Sequence, residues 1–253
     1  MSYETFLVER RDDGVAVVTI NRPDRMNAMN QRFFHELSAV FDELDADDDV
    51  GAAVLTGAGR AFSAGGDIEM FESLTDTQAY RRQVKLVLKA FNDVEMADIP
   101  VVGAINGIAY GGGTELTLAC DLAIASERAR FAFKEVTVGL MPSYGVLRGP
   151  DVMGLRATRY LALTGRDIDA ERAREIGLVD EVVAHDDLLD EAVALAAQIA
   201  ANARFGVRYG KTFINRNQGV PGLLESVEAT AVLFGTPEHK AAVAGFLESR
   251  GKR

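Results

Sequence analysis

Two glycine clusters and two carboxylates hold the residues whose types and spacing could do chemistry. The clusters are Ala61-Phe-Ser-Ala-Gly-Gly-Asp-Ile68 and Gly107-Ile-Ala-Tyr-Gly-Gly-Gly-Thr-Glu115. Glycine lets backbone N–H groups approach a ligand without interference from a Cβ. A helix N-terminus behind it adds a dipole that favours negative charge. Two such loops could aim two N–H groups at one oxygen, which is an oxyanion hole. The same glycines would equally serve tight turns with close helix–strand packing. Glu115 ends the second cluster where a helix should begin, and Glu135 lies in the otherwise apolar stretch Phe131–Val138. Converging beside an oxyanion hole, two carboxylates could handle protons at adjacent carbons. Plainer readings stand beside these: a stabilising acid in a first helical turn for Glu115, and a solvated strand residue paired with Lys134 or an arginine for Glu135.

Other chemistries have weaker support. Ala61-Phe-Ser-Ala-Gly65 is one residue away from a nucleophile elbow, which would make Ser63 a nucleophile. Its triad would need His185, in an acidic turn, or His239, at an exposed-looking helical start. Ser63 is therefore read as lining a turn. Gly206-Val-Arg-Tyr-Gly-Lys-Thr212 has three residues between its glycines where a phosphate loop needs four, and no strand precedes it. Three scattered histidines and one cysteine offer no metal-ligand pair.

The glycine clusters each follow an apolar run, Ala52–Thr56 and Val101–Ile105, expected as buried strands. Val15–Ile20 and Leu122–Ala125 read as two more. Phe33, Phe34, Leu37, Val40, Phe41 and Leu44 recur at helical spacing. Alternating strands and helices give an α/β core. Beyond about residue 185 the strand signal ends, and Leu188–Ala203, Leu223–Leu233 and His239–Glu248 read as helices.

The chain of 253 residues is long enough for a sizeable core. Its net charge of −11 disfavours a broad nucleic-acid or anionic-membrane surface, while leaving room for an anionic small ligand. No apolar run approaches the ~20 residues that span a bilayer, and the start carries Glu4, Glu9, Arg10 and Arg11 rather than a signal-type stretch. The single cysteine, Cys120, expected to pack in the core, suits a reducing, cytoplasmic setting.

Taken in order and spacing, the motifs resemble the crotonase, or enoyl-CoA hydratase/isomerase, superfamily nearly end to end. They are Asn21–Ala28, Ala61–Ile68, Asn106–Leu116, Cys120–Ala125, Glu135–Pro142, Ala173–Val179 and Glu238–Arg250. The resemblance implies an α/β spiral of ββα turns over 1–195 and a C-terminal helical trimerisation region over 196–253, giving trimers or hexamers. It implies an acyl-CoA thioester as substrate, with coenzyme A part of that substrate and no separate cofactor or metal. The oxyanion donors would be the backbone N–H groups of Gly66 and Gly112. Arg25, Met26, Ala28, Ala64, Asp67 and Ile68 match CoA-contacting segments, and Lys252 and Arg253 could meet CoA phosphates. Glu115 and Glu135 match both glutamates of the family's hydratases, whose reaction adds water across the C2–C3 double bond. Glu115 would help activate water and Glu135 would protonate C2. The alternative is a Δ3-Δ2 enoyl-CoA isomerase or another enolate reaction, since many isomerases keep mainly the second carboxylate. Two departures stand out: Lys134 replaces the usual proline, and Ser143-Tyr-Gly-Val-Leu-Arg148 replaces a glycine-rich segment. Lys134 could point away or shift Glu135, and Tyr144 and Arg148 could reshape the acyl site.

Overall fold

The computed structural model describes residues 3–74, 76–216, 227–228, 231–232 and 234–250. Its strands are β1 (Phe6–Arg10), β2 (Val15–Ile20), β3 (Ala52–Gly57), β4 (Ala61–Ser63), β5 (Val101–Ile105), β6 (Ile108–Tyr110), β7 (Leu122–Ser126), β8 (Arg130–Ala132), β9 (Ile168–Asp169) and β10 (Glu181–Val183). The helices are α1 (Gln31–Asp45), α2 (Ile68–Ser73), α3 (Thr77–Glu95), α4 (Gly112–Ala119), α5 (Gly145–Val152), α6 (Gly154–Thr164), α7 (Ala170–Glu175), α8 (Leu188–Ala200), α9 (Arg204–Arg216) and α10 (Pro237–Arg250).

Two mixed sheets result, one in the order β1-β2-β3-β5-β7-β10 and one in the order β4-β6-β8-β9. The four runs expected as strands are the four inner strands of the larger sheet. They are buried on both faces, which is why they read as unbroken apolar runs. Each of β3, β5 and β7 turns directly into a short strand of the second sheet, so the chain climbs in steps of one long and one short strand. Within each step the two sheets advance in parallel, β3 to β5 to β7 and β4 to β6 to β8. This is the crotonase-like α/β fold, with helices at its C-terminal end.

Helices clothe the larger sheet on both sides. On one, α1 contributes Phe33, Phe34, Leu37, Val40, Phe41 and Leu44, and α3 contributes Leu88, Phe91 and Val94. Asn30 caps α1 by accepting the Phe33 N–H at 2.9 Å, and Asp76 caps α3 through Ala79 at 2.8 Å. On the other side α8 lays Leu188, Ala192 and Ala196 against Val15, Val54, Val102 and Ile124. Each such leucine, valine or isoleucine side chain contributes about 1.5–3 kcal/mol of burial. Helix α8 thus runs across residue 195 as part of the sheet's own packing. Among the described residues, no helix is long and apolar enough to cross a membrane.

Candidate active site

The two glycine clusters meet where β4 and β6 end. Gly65 has φ +88°, and a Cβ there would come within 2.7 Å of the Tyr110 carbonyl oxygen. Only glycine permits that approach. Met29 N donates to Gly65 O at 2.8 Å, and Asp67 N donates to Met29 O at 2.9 Å, so Gly66 is held between two fixed neighbours. Gly112 opens α4, in the turn whose N–H donors have no carbonyl within their own helix. Gly66, Gly112, Glu115 and Glu135 all line one cavity of about 70 Å³.

Glu115 sits in the first turn of α4 and is 4% exposed. Its Oε1 accepts the backbone N–H groups of Tyr144 at 2.7 Å and Gly145 at 2.9 Å. Glu135 opens a single turn of 3-10 helix, Glu135–Val138, rather than lying in a strand. Its Oε1 is 2.6 Å from where a Cβ on Gly111 would stand, so that glycine, at φ +54°, makes room for the carboxylate. Its Oε2 is sealed from solvent and has no hydrogen-bond partner.

Burial pushes Glu115 up to about 7, against the pull of the Gly145 and Tyr144 amides. Glu135 is held well above the carboxylate range by burial and then by the Glu115 charge beside it. Glu115 has two donors to steady a negative charge, and Glu135 Oε2 has none. A proton shared by the pair is therefore favoured on Glu135 and a negative charge on Glu115. Both carboxyls face one cavity.

The departures noted in the sequence find definite places. Lys134 points away from Glu135: its ammonium donates to Gly165 O at 2.9 Å, pairs with Asp167 and lies 5.1 Å from the Tyr110 ring centroid. Tyr144 is fully buried behind Glu115, and its hydroxyl donates to Glu95 Oε2. Arg148 is buried with it, 2.6 Å from Glu95 Oε1 and 3.0 Å from Asp151. Tyr144, Glu95 and Arg148 thus brace the segment that holds Glu115, while Ser143 reaches the cavity wall.

The loop holding Arg25, Met26 and Ala28 lies against the one holding Ala64, Asp67 and Ile68. Ala64 N donates to Met26 O at 2.9 Å, and Asp67 pairs with Arg22 at 2.9 Å. Arg25 is exposed and reaches Glu69 at 2.7 Å, and Ile68 opens α2. Lys252 and Arg253 lie outside the described residues, as does most of Leu223–Leu233.

Ser63 is not placed as a nucleophile. It is fully buried, its hydroxyl donates to Asn27 O at 2.8 Å, and it accepts from Gly65 N at 3.1 Å. His185 pairs instead with Ser126 at 3.0 Å. His239, expected to be exposed, is buried against Val138 O at 2.6 Å and the Phe234 ring. Lys211 of the glycine-flanked segment is mid-helix and pairs with Asp121 at 2.7 Å. Cys120 is half-buried at the end of α4, with its Sγ 3.4 Å from Leu116 O.

Sequence reasoning missed the wall of the cavity. Tyr80, Gln83, Val84, Val87 and Phe91 of α3 line it, with Met29, Phe34, Leu140 and Met141. The signal was available in the helical spacing of 80, 84, 87 and 91, with Gln83 the polar residue on that face.

The family model described as enoyl-CoA hydratase/isomerase matches residues 10–252. A probable enoyl-CoA hydratase of Mycobacterium leprae is 37% identical over 254 residues, covering 99% of this chain and 97% of that protein. The crystal structure of an enoyl-CoA hydratase/isomerase from Mycobacterium paratuberculosis superposes with a TM-score of 0.89 at 31% identity, covering 97% of this chain and all of that one. A monofunctional enoyl-CoA isomerase from M. smegmatis also matches, with a TM-score of 0.74 at 32% identity over 88% of this chain and 97% of its own. Fold, motif order and these matches place the chain in the enoyl-CoA hydratase/isomerase, or crotonase, superfamily.

Proposed function

We propose that this chain is an enoyl-CoA hydratase that adds water across the C2–C3 double bond of a trans-2-enoyl-CoA to give a 3-hydroxyacyl-CoA. One observation carries the reading: two glutamates, one carboxyl held by two backbone N–H groups and the other with a sealed, unpartnered oxygen, share a cavity with Gly66 and Gly112. The thioester oxygen would rest on the N–H groups of those glycines, each such donor being worth about 2.7–4 kcal/mol as enolate charge develops. Glu115, as carboxylate, takes a proton from water as the oxygen bonds to C3. Glu135, as acid, gives its proton to C2, and the protons re-equilibrate through water before the next turnover. Arg25, Met26, Ala28, Ala64, Asp67 and Ile68 frame the CoA entrance in this reading, with Lys252 and Arg253 toward the phosphates. Coenzyme A arrives within the substrate, and no separate cofactor takes part.

A second reading, double-bond isomerisation with Glu135 alone moving a proton between C2 and C4, is supported by the likeness to a monofunctional enoyl-CoA isomerase from M. smegmatis. A turnover assay on trans-2-enoyl-CoAs of several lengths separates the two. Loss of the conjugated enoyl-thioester absorbance with gain of the mass of water supports hydration. Isomerised product without that gain supports the second reading.

We also infer a homotrimer or homohexamer built through the C-terminal region, 196–253. Phe205, Tyr209 and Phe213 recur at four-residue spacing on α9 and are 74%, 63% and 58% exposed, a face suited to burial between copies. The free Cys120 fits a cytoplasmic setting.

A further inference from the structure

The C-terminal helix reaches the turn that carries Glu135 through one buried imidazole. Thr236 stands before Pro237, the first residue of α10, a pair that suits the start of a helix. Its hydroxyl oxygen accepts the His239 backbone N–H at 3.2 Å, which fixes His239 in the first turn. The His239 side chain is then buried, at 5% exposure, with Nδ1 2.6 Å from Val138 O. A carbonyl oxygen only accepts, so Nδ1 carries the hydrogen and donates it.

Val138 closes the single turn of helix that Glu135 opens. The last carbonyls of so short a helix have no partner inside it, and Val138 O is bonded from α10 instead. Gly139, at φ +74°, admits the contact, since a Cβ there would stand 2.8 Å from His239 Cα. The imidazole also lies 5.1 Å from the Phe234 ring, which stacks on Tyr80 of α3 at 4.2 Å and 9°. Tyr80 and Glu135 both line the cavity. His239 thus joins the Glu135 turn to the α3 wall of the same cavity.

We propose that His239 is a positioning residue: from the C-terminal helix it holds the turn that presents Glu135 to the cavity. This rests on the reading of Glu135 as the group that moves a proton at C2. Such a transfer needs the carboxyl within about 2.6–3.2 Å of its target. A displacement of about 1 Å costs on the order of 100-fold. Substrate binding would rest elsewhere, on Gly66, Gly112 and the loops around Ala28 and Ala64. Loss of the His239 bond should therefore slow turnover more than it weakens binding.

The test compares His239→Asn with His239→Leu. The two replacements have nearly the same shape, and only asparagine keeps an N–H near the place of Nδ1. On trans-but-2-enoyl-CoA, His239→Leu should lose about 10- to 100-fold in kcat with KM changed less than about threefold. His239→Asn should stay within about threefold of the wild type in both. A role in folding alone would lower the melting temperature and leave kcat per folded molecule unchanged. If His239→Leu does not melt cooperatively, His239→Ala, too short to reach Val138, replaces it in the comparison. Hydration at the wild-type rate without the N–H overturns the inference alone. So does a change confined to KM, or a loss in His239→Asn as large as in His239→Leu. Exchange of the C2 hydrogens of butyryl-CoA with deuterium oxide, read by mass, follows proton movement at C2 without hydration. Exchange that slows in His239→Leu and recovers in His239→Asn, in a protein that adds no water, supports the inference while defeating the hydratase reading. A protein that neither hydrates nor exchanges overturns both.

Discussion

Tyr144 holds Glu115 with one end and Glu95 with the other: its backbone N–H donates to Glu115 Oε1 at 2.7 Å, and its hydroxyl donates to Glu95 Oε2. Glu115 is therefore aimed by a residue whose own position is fixed by the buried pair of Glu95 and Arg148. Tyr144→Phe keeps the N–H and removes the hydroxyl. The expected loss is about 1–3 kcal/mol of stability, with kcat reduced less than tenfold and KM nearly unchanged. Glu95→Ala removes the buried partner of Arg148, leaving it only the half-exposed Asp151, and should cost about 3 kcal/mol. Denaturant melts and steady-state kinetics on both variants check the ordering, and a Glu95→Ala protein as stable as the wild type would contradict it.

Lys134 stands next to Glu135 in the chain yet turns its ammonium away from it. Its ammonium is spent on Gly165 O and Asp167, at the surface. Lys134→Ala should cost no more than about 1 kcal/mol and leave the pH dependence of turnover in place. A displaced pH profile would show that the lysine reaches Glu135 after all.

Burial of the two acids makes stability depend on pH in a definite direction. Both are held above their unfolded-state values, by burial in each case and, for Glu135, also by the Glu115 charge. The folded chain therefore binds more protons than the unfolded one between those values and the raised ones, and stability falls as pH rises across that window. Glu135→Gln removes part of this penalty. It should raise stability by about 1–3 kcal/mol near pH 8 and by much less near pH 5, while abolishing hydration. Melting curves at the two pH values test the sign, and equal gains at both would refute it.

Ser63 separates an enolate mechanism from a serine hydrolase. Its hydroxyl joins Asn27 O to Gly65 N beneath the oxyanion loop. Ser63→Ala should lower stability by about 1–2 kcal/mol and turnover by less than tenfold, because the backbone donors stay. Complete loss of activity in a protein that still melts cooperatively would reopen the nucleophile reading.

The larger sheet was legible because its inner strands, β2, β3, β5 and β7, are buried on both faces and spell continuous apolar runs. The smaller sheet was not, since β4, β6 and β8 have three residues each and β9 has two, too few to show alternation. The plainer reading of Glu135, a solvated strand residue, fails because the strand ends at Ala132, and an apolar stretch alone does not distinguish strand from tight turn. That Glu115, Gly66 and Gly112 would share one site was implied by the family resemblance, and they line one cavity. Gln83 and Glu95 stayed hidden because a buried polar residue gains its meaning from partners distant in the chain, here the cavity and Arg148.

The most direct test of the two-carboxylate mechanism is turnover of a short trans-2-enoyl-CoA in heavy-oxygen water, with the product's mass and label position determined, for the wild type and for Glu115→Gln and Glu135→Gln. Hydration predicts one labelled oxygen at C3 in the wild-type product and loss of at least about 100-fold in kcat in each variant. Product without label, or labelled product formed at full rate once either glutamate is gone, would contradict it.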